Sequence, residues 1–138
     1  MSSPDASSAY AAVTRGLRVE VTPRYLPDQS DPARPRHVWS YTVRIENQGA
    51  ETVQLVSRHW IITDAYNHVE EVKGPGVVGE QPVLKPGDAF EYTSGCPLAA
   101  PSGSMRGTYQ MVTGDGDAFT AEIPAFSLHQ PGATRRLN

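Results

Sequence analysis

Residues 17–25, LRVEVTPRY, indicate the fold class of the whole chain. Apolar and polar side chains alternate along this stretch, and a period of two is typical of a strand with one buried face. The side chains that would share the buried face are Leu17, Val19, Val21 and Tyr25. The stretch therefore predicts a half-buried β-strand.

The same alternation recurs along the rest of the chain. The predicted strands cover residues 17–25, 38–47, about 51–63, 68–73, 88–95, 104–113 and 117–127. Residue types that favour turns separate them, at Asn47–Gly49, Asp64–Asn67, Pro86–Asp88, Pro101–Gly103 and Gly114–Asp117. No helix-length stretch has a period of 3.6 residues. The pattern predicts an all-β sandwich of about seven antiparallel strands in two sheets.

Two kinds of sandwich and one other architecture fit this strand pattern. An immunoglobulin-like or fibronectin type III-like sandwich is the first expectation, and a small closed barrel is the alternative. The single cysteine, Cys96, excludes the disulfide pair of a true immunoglobulin domain. The sequence therefore favours the fibronectin type III-like form.

Length and composition predict a single folded domain over residues 16–128 of the 138-residue chain. Residues 1–15 and 129–138 are predicted to be disordered tails because they combine turn-forming and polar types without a sustained period.

Charge and cysteine content restrict the setting and the partners. The formal net charge is −3, with 12 basic and 15 acidic side chains spread along the chain. We therefore expect no nucleic-acid partner. No apolar run is long enough to span a membrane, and the N-terminus lacks a signal-peptide pattern. A lone cysteine fits a reducing compartment, so the predicted location is the cytoplasm.

A Gly-x-Gly-x-x-Gly spacing at Gly74, Gly76 and Gly79 raises the possibility of a nucleotide site. A dinucleotide-binding fingerprint needs a helix directly after the glycines, but Pro82 and Pro86 prevent one here. The stretch also lacks the Gly-Lys-Ser/Thr ending of a P-loop. We therefore interpret it as a rigid loop. The alternative is weak phosphate binding by its backbone amides, with help from Lys73 or Arg58.

The histidines do not predict a metal site. His59 and His68 would lie on one hairpin, close to the carboxylates of Asp64, Glu70 and Glu71. No His or Cys pair has the spacing of a zinc site, so no metal and no cofactor are predicted. The four histidines, His37, His59, His68 and His129, are interpreted as surface or core residues.

No arrangement of nucleophile and base predicts catalysis. Cys96 precedes a proline and has no base that spacing assigns, which favours a packed or loop thiol over a nucleophile. Gly114–Asp117 resembles the start of a calcium loop without its later ligands, and is better interpreted as a hairpin turn. The chain is predicted to have no catalytic residues and not to be an enzyme.

Arg58 and Trp60 would share one face of their strand. The favoured interpretation is that Trp60 anchors the core with the arginine stem packed beside it. The alternative is an exposed pair that anchors a protein interface.

Residues 57–112 resemble the ApaG family. The segments that carry the resemblance are Arg58–Trp60, Val72–Pro82, Leu84–Gly87 and Gly103–Tyr109. Membership implies a fibronectin type III-like sandwich but no established reaction. Bacterial members are named for an operon shared with a diadenosine tetraphosphatase, and a synonym links them to cobalt and magnesium resistance. Eukaryotic relatives carry the domain in F-box adaptors and in a polymerase-interacting protein, both of which are settings for protein contacts.

These observations lead to one principal hypothesis and two alternatives. The principal one is a non-catalytic module that binds an unidentified protein partner. The first alternative is weak binding of pyrophosphate or a nucleotide by the Gly74–Gly79 loop. The second, implied by the resemblance, is a link to divalent cations. Function follows from a site rather than from a sandwich fold.

Overall fold

Nine strands follow one another in the described part of the chain. The computed structural model describes residues 9–31 and 33–130. The strands are β1 (Tyr10–Thr14), β2 (Leu17–Tyr25), β3 (His37–Asn47), β4 (Val53–Asp64), β5 (Val69–Pro75), β6 (Val83–Leu84), β7 (Ala89–Leu98), β8 (Ser102–Thr113) and β9 (Ala118–His129). The only helical element in the described ranges is a 3-10 turn at Pro27–Gln29. No helix in this part is long and apolar enough to cross a membrane.

The strands form two antiparallel sheets. The first has the order β1-β2-β3-β7, and the second has the order β5-β4-β8-β9, with β6 also paired to β4. The predicted fibronectin type III-like sandwich is confirmed. Apolar side chains of the two inner faces form the core because strand alternation directs every second side chain inward.

The buried set predicted from LRVEVTPRY is confirmed for its first three members. Leu17, Val19 and Val21 are at most 1% exposed. Tyr25 is only partly buried, and its ring lies against Trp39 with centroids 5.4 Å apart.

Trp60 is the centre of an aromatic cluster in the core, which confirms the favoured interpretation of this residue. Its side chain is 2% exposed, and its ring centroid lies 5.2 Å from Tyr41 and 6.0 Å from Phe126. Tyr41 and Phe126 contact each other at 6.0 Å. Removal of such a buried aromatic side chain costs about 3–5 kcal/mol.

All seven predicted strands are present, and two strands were missed. β1 lies inside residues 1–15, which were predicted to be a disordered tail, so that boundary is corrected. The strand forms because Tyr10–Thr14 pairs along its whole length with β2 and Tyr10 packs against Phe126. β6 was missed because it has only two residues and lies between prolines.

The C-terminal boundary also differs from the prediction. β9 extends to His129, whose carbonyl oxygen accepts a 2.9 Å hydrogen bond from Trp39 Nε1. The remaining parts of both predicted tails, residues 1–8 and 131–138, lie outside the described residues.

The two sides of the sandwich differ. On one side β1 and β9 meet, and the amide of Glu122 donates a 3.1 Å hydrogen bond to Thr14 Oγ1. On the other side lie β5 and β7, each at the end of its sheet. The glycine-rich loop lies at the end of this second side.

Candidate functional site

The glycine-rich segment forms a hairpin turn between β5 and β6. Val77 and Glu80 exchange two backbone hydrogen bonds of 2.8 Å, one in each direction. Val78, with φ of 43°, and Gly79, with φ of 82°, occupy the two central positions. Two left-handed central residues are the mark of a type I′ turn. The chain then enters a strand, so the helix N-terminus of a dinucleotide site is missing here.

Three backbone amides of this loop donate hydrogen bonds within the protein. Gly76 donates its amide to the carbonyl oxygen of Val56 at 2.9 Å, and the side chain of Gln81 donates to the same oxygen at 2.8 Å. Val56 is available because the β4–β8 register shifts between Leu55 and Ser57. The amides of Gly76, Val77 and Glu80 are therefore engaged, and they do not form an open cradle for phosphate.

The Arg58 side chain lies on the inner face of the second sheet and holds the loop by hydrogen bonds. Its Nη1 donates to the carbonyl oxygens of Pro75 at 3.0 Å and Gly76 at 2.9 Å. Lys73 lies one residue before Gly74, the register partner of Arg58, and so points to the outer face. Of the two cations suggested as phosphate partners, the structure brings only Arg58 to the loop, where one guanidinium nitrogen is already engaged.

Val78 lies at the tip of the turn in a strained conformation. A β-branched residue at positive φ is an outlier, because its Cβ crowds the following carbonyl. The side chain is nevertheless 54% exposed. Sequence analysis missed it, although a valine beside a glycine in the middle of a short turn is a detectable signal. Val56 and Val83, which are 40% and 55% exposed, belong to the strands that border this loop.

A cleft of about 290 Å³ opens between the sheets on the β5 and β7 side. Its apolar part includes Trp60, Met105 and Cys96, while Arg58 and Glu70 contribute opposite charges. Glu70 pairs with Ile62, four residues along β4 from Arg58, so the backbone positions that carry the two charges lie roughly 13 Å apart along the strand.

Tyr92 and Tyr109 form a polar contact inside the core. Their hydroxyl oxygens lie 2.6 Å apart and join β7 to β8 across the two sheets. Burial raises the pKa of both phenols, so both stay protonated. The pair serves as a hydrogen-bonded link between the sheets.

Cys96 is buried, as expected of a packed thiol. Burial, with a smaller contribution from the charge of Glu70, raises the pKa of the thiol to about 11. The thiol is therefore protonated at neutral pH, and a protonated thiol is a poor nucleophile.

His59 and His68 are not brought together. His59 Nε2 lies 3.3 Å from Glu71 Oε1, and His68 Nδ1 lies 3.3 Å from Asp64 Oδ2. His59 is on the outer face of β4, whereas His68 is in the turn after Asp64, five residues or roughly 17 Å further along the strand. Within residues 9–31 and 33–130, no three His, Cys, Asp or Glu side chains cluster as metal ligands would.

Gly114–Asp117 forms the predicted hairpin turn. Thr113 donates its amide to the carbonyl of Asp117 at 2.8 Å, and the amide of Gly116 donates to the carbonyl of Thr113 at 2.9 Å. Gly116 has φ of 90°, which glycine adopts without strain. The turn joins β8 to β9.

Comparisons with known proteins agree with this fold and these motifs. A family model described as the ApaG domain matches residues 27–113. Protein ApaG of Rhodospirillum centenum is 62% identical over 129 residues, which cover 94% of this chain and 99% of that protein. Protein ApaG of Paramagnetospirillum magneticum is 61% identical over the same shares of both chains.

A solved structure extends the agreement to three dimensions. The crystal structure of a Bordetella pertussis protein superposes with a TM-score of 0.83 at 56% identity, and the match covers 85% of this chain and 95% of that one. Identity of this extent over nearly the whole chain confirms the resemblance carried by the motifs of residues 57–112, and it establishes that the chain belongs to the ApaG family.

Proposed function

We propose that this ApaG-family chain is a non-catalytic protein-interaction module that binds its partner at the exposed turn around Val78. The observation that carries the proposal is the conformation of this residue: φ is 43°, and the side chain is 54% exposed.

The fold alone does not account for a valine at this position. A non-glycine residue in the left-handed region costs about 1–2 kcal/mol. The exposed side chain recovers little of this cost by burial within the chain. Glycine or asparagine would occupy the same turn with less strain. A contact with another molecule would explain why an apolar branched side chain is displayed here.

The surroundings of Val78 support a docking role. The neighbouring Val77 is fully buried, and the hydrogen bonds from Gly76 and Arg58 hold the base of the turn. A rigid turn loses little conformational entropy when it binds, so a small contact suffices. The expected partner surface is an apolar pocket on a protein, into which Val78 inserts while Val56 and Val83 cover its rim.

The environments of Cys96, His59 and His68 support the same proposal. Cys96 is buried with a raised pKa, and His59 and His68 each contact a different carboxylate. None of these side chains is paired with a second group in the manner of a nucleophile and its base.

Photo-crosslinking from two matched positions tests the proposal. A photoreactive amino acid replaces Val78 in one variant and Val13, an exposed valine on β1, in the other. The variants are expressed in cells and irradiated, and the products are identified by mass spectrometry. We expect a protein that crosslinks from position 78 and not from position 13.

The affinity of that protein is then measured with purified variants. Val78→Asn should weaken binding at least tenfold without loss of stability, because asparagine tolerates positive φ. Val13→Asn should leave the affinity unchanged. Equal affinity of Val78→Asn and the parent chain, or the absence of any crosslink specific to position 78, would overturn the proposal.

A further inference from the structure

We propose that β5 pairs with β5 of a second copy of this chain, antiparallel and with Val72 on the two-fold axis. The pairing joins the second sheets of two copies into one continuous sheet. It uses the edge of the sandwich rather than the Val78 turn, and so goes beyond the function proposed above.

The backbone of β5 is available for such pairing. Among the described residues, β5 has a single neighbouring strand, β4. The amide of Gly76 bonds to Val56, and the amide of Asp64 bonds to the carbonyl of His68. Hydrogen-bonded and non-bonded pairs alternate in an antiparallel ladder, so the even-numbered residues of β5 point their backbone groups toward β4. Val69, Glu71 and Lys73 therefore direct theirs outward.

Several antiparallel registers let the outward backbone groups of the two β5 strands form hydrogen bonds with each other. The charges of the side chains favour one of these registers. With Val72 on the two-fold axis, Glu71 of each copy lies opposite Lys73 of the other. A shift that centres the pairing on Glu71 places two carboxylates opposite each other, and a shift to Lys73 places two ammonium groups opposite each other. Like charges directly opposite destabilise a sheet, and opposite charges stabilise it.

The inner face of the sheet is complementary in the same register. Glu70 falls opposite Gly74 of the second copy, where no side chain intervenes. The Arg58 guanidinium lies under that glycine, because a Cβ atom at Gly74 would come within 3.1 Å of Arg58 Nη1. Opposite residues of paired strands have Cβ positions roughly 5 Å apart. Glu70 of one copy therefore reaches Arg58 of the other.

The second copy supplies carboxylate partners for Arg58 and Lys73. Within the described residues, no carboxylate lies within ion-pair distance of Arg58 or Lys73. A lysine on an exposed edge usually discourages pairing. In the register centred on Val72, Glu71 of the second copy neutralises Lys73. The two-fold axis repeats each charge pair, as an isologous interface requires.

Charge-reversal variants test the register by sedimentation equilibrium at low salt. The parent chain should sediment at twice its mass of 15.0 kDa. Glu71→Lys and Lys73→Glu should each raise the dimer Kd at least tenfold, since each places like charges opposite one another twice. An equimolar mixture of the two variants should restore the dimer as a heterodimer. The double swap, with both changes in one chain, should restore the homodimer.

A matched control separates the edge from general charge effects. Glu122→Lys reverses an exposed charge on β9, at the opposite edge of the same sheet, and should leave the dimer Kd unchanged. Thermal unfolding of every variant confirms that each is folded. A monomeric parent chain at millimolar concentration would overturn the proposal. So would single reversals that remain dimeric, or a mixture and a double swap that both remain monomeric.

Discussion

The Cα atom of Gly76 faces the carbonyl oxygen of Glu80 so closely that no side chain fits between them. Gly76 also has φ of 63°, in the left-handed region. Both constraints come from the hairpin turn between Val77 and Glu80. The second glycine of the Gly-x-Gly-x-x-Gly spacing is therefore explained by loop architecture, without a ligand.

Gly76→Ala should destabilise the fold far more than Gly79→Ala. Both positions have positive φ, but a Cβ atom at Gly79 meets open space, whereas one at Gly76 meets the Glu80 carbonyl. We expect a loss of about 1 kcal/mol at Gly79, and at least about 2 kcal/mol at Gly76. Urea unfolding of the two variants provides the measurement. Equal losses would show that the close approach is relieved by a small backbone shift.

Pyrophosphate and ATP should not bind the glycine loop. The amides of Gly76, Val77 and Glu80 already donate within the protein, and Nη1 of Arg58 is engaged by two carbonyl oxygens. An amide chemical-shift titration, with and without magnesium, should show no saturable change at residues 74–79 with millimolar ligand. Saturable shifts confined to that loop would favour the phosphate-binding alternative instead.

The Tyr92 and Tyr109 hydroxyls should behave as an energetically coupled pair. Tyr92→Phe leaves the Tyr109 hydroxyl buried without its partner, at a cost of about 1–3 kcal/mol. Replacement of both by Phe removes both polar groups, so the double variant should lose less than the sum of the single losses. A double-mutant cycle in urea measures the coupling. Additive losses would argue against the hydrogen bond.

Cys96 should react slowly with thiol reagents in the folded state. The rise of its pKa from the ordinary value of 9.0 to about 11 lowers the thiolate fraction roughly 100-fold at pH 8. Its burial slows access further. The rate of reaction with a chromogenic disulfide should therefore rise more than 100-fold when the chain is unfolded in urea. A folded chain that reacts at the unfolded rate would contradict the burial of this thiol.

The free energy of unfolding should fall as the pH rises above about 9. The folded-state pKa of Cys96 is raised from 9.0 to about 11, so the folded chain holds the thiol proton more tightly than the unfolded chain. The resulting stabilisation is complete below pH 9 and is lost as the pH rises toward 11. Cys96→Ala should show a shallower decline between pH 9 and 10. Identical slopes would exclude the thiol as the cause.

Much of the fold could be predicted because strand formation is encoded locally. The alternation in residues 17–25 and its repeats placed seven strands, and the turn residues placed the hairpins, including Gly114–Asp117. The resemblance carried by residues 57–112 predicted the family. β1 was missed because its five residues gain stability mainly from pairing with β2, which a local pattern does not reveal.

The sequence by itself determined the all-β class, the burial of Trp60, and the preference for a loop over a nucleotide fingerprint at Gly74–Gly79. Only the tertiary structure decided that Arg58 fastens that loop, that Val78 stands strained and exposed at its tip, and that β5 forms a free edge among the described residues. The physical reason is range: alternation and turn chemistry act over a few neighbouring residues, whereas strand order and register depend on contacts between distant segments.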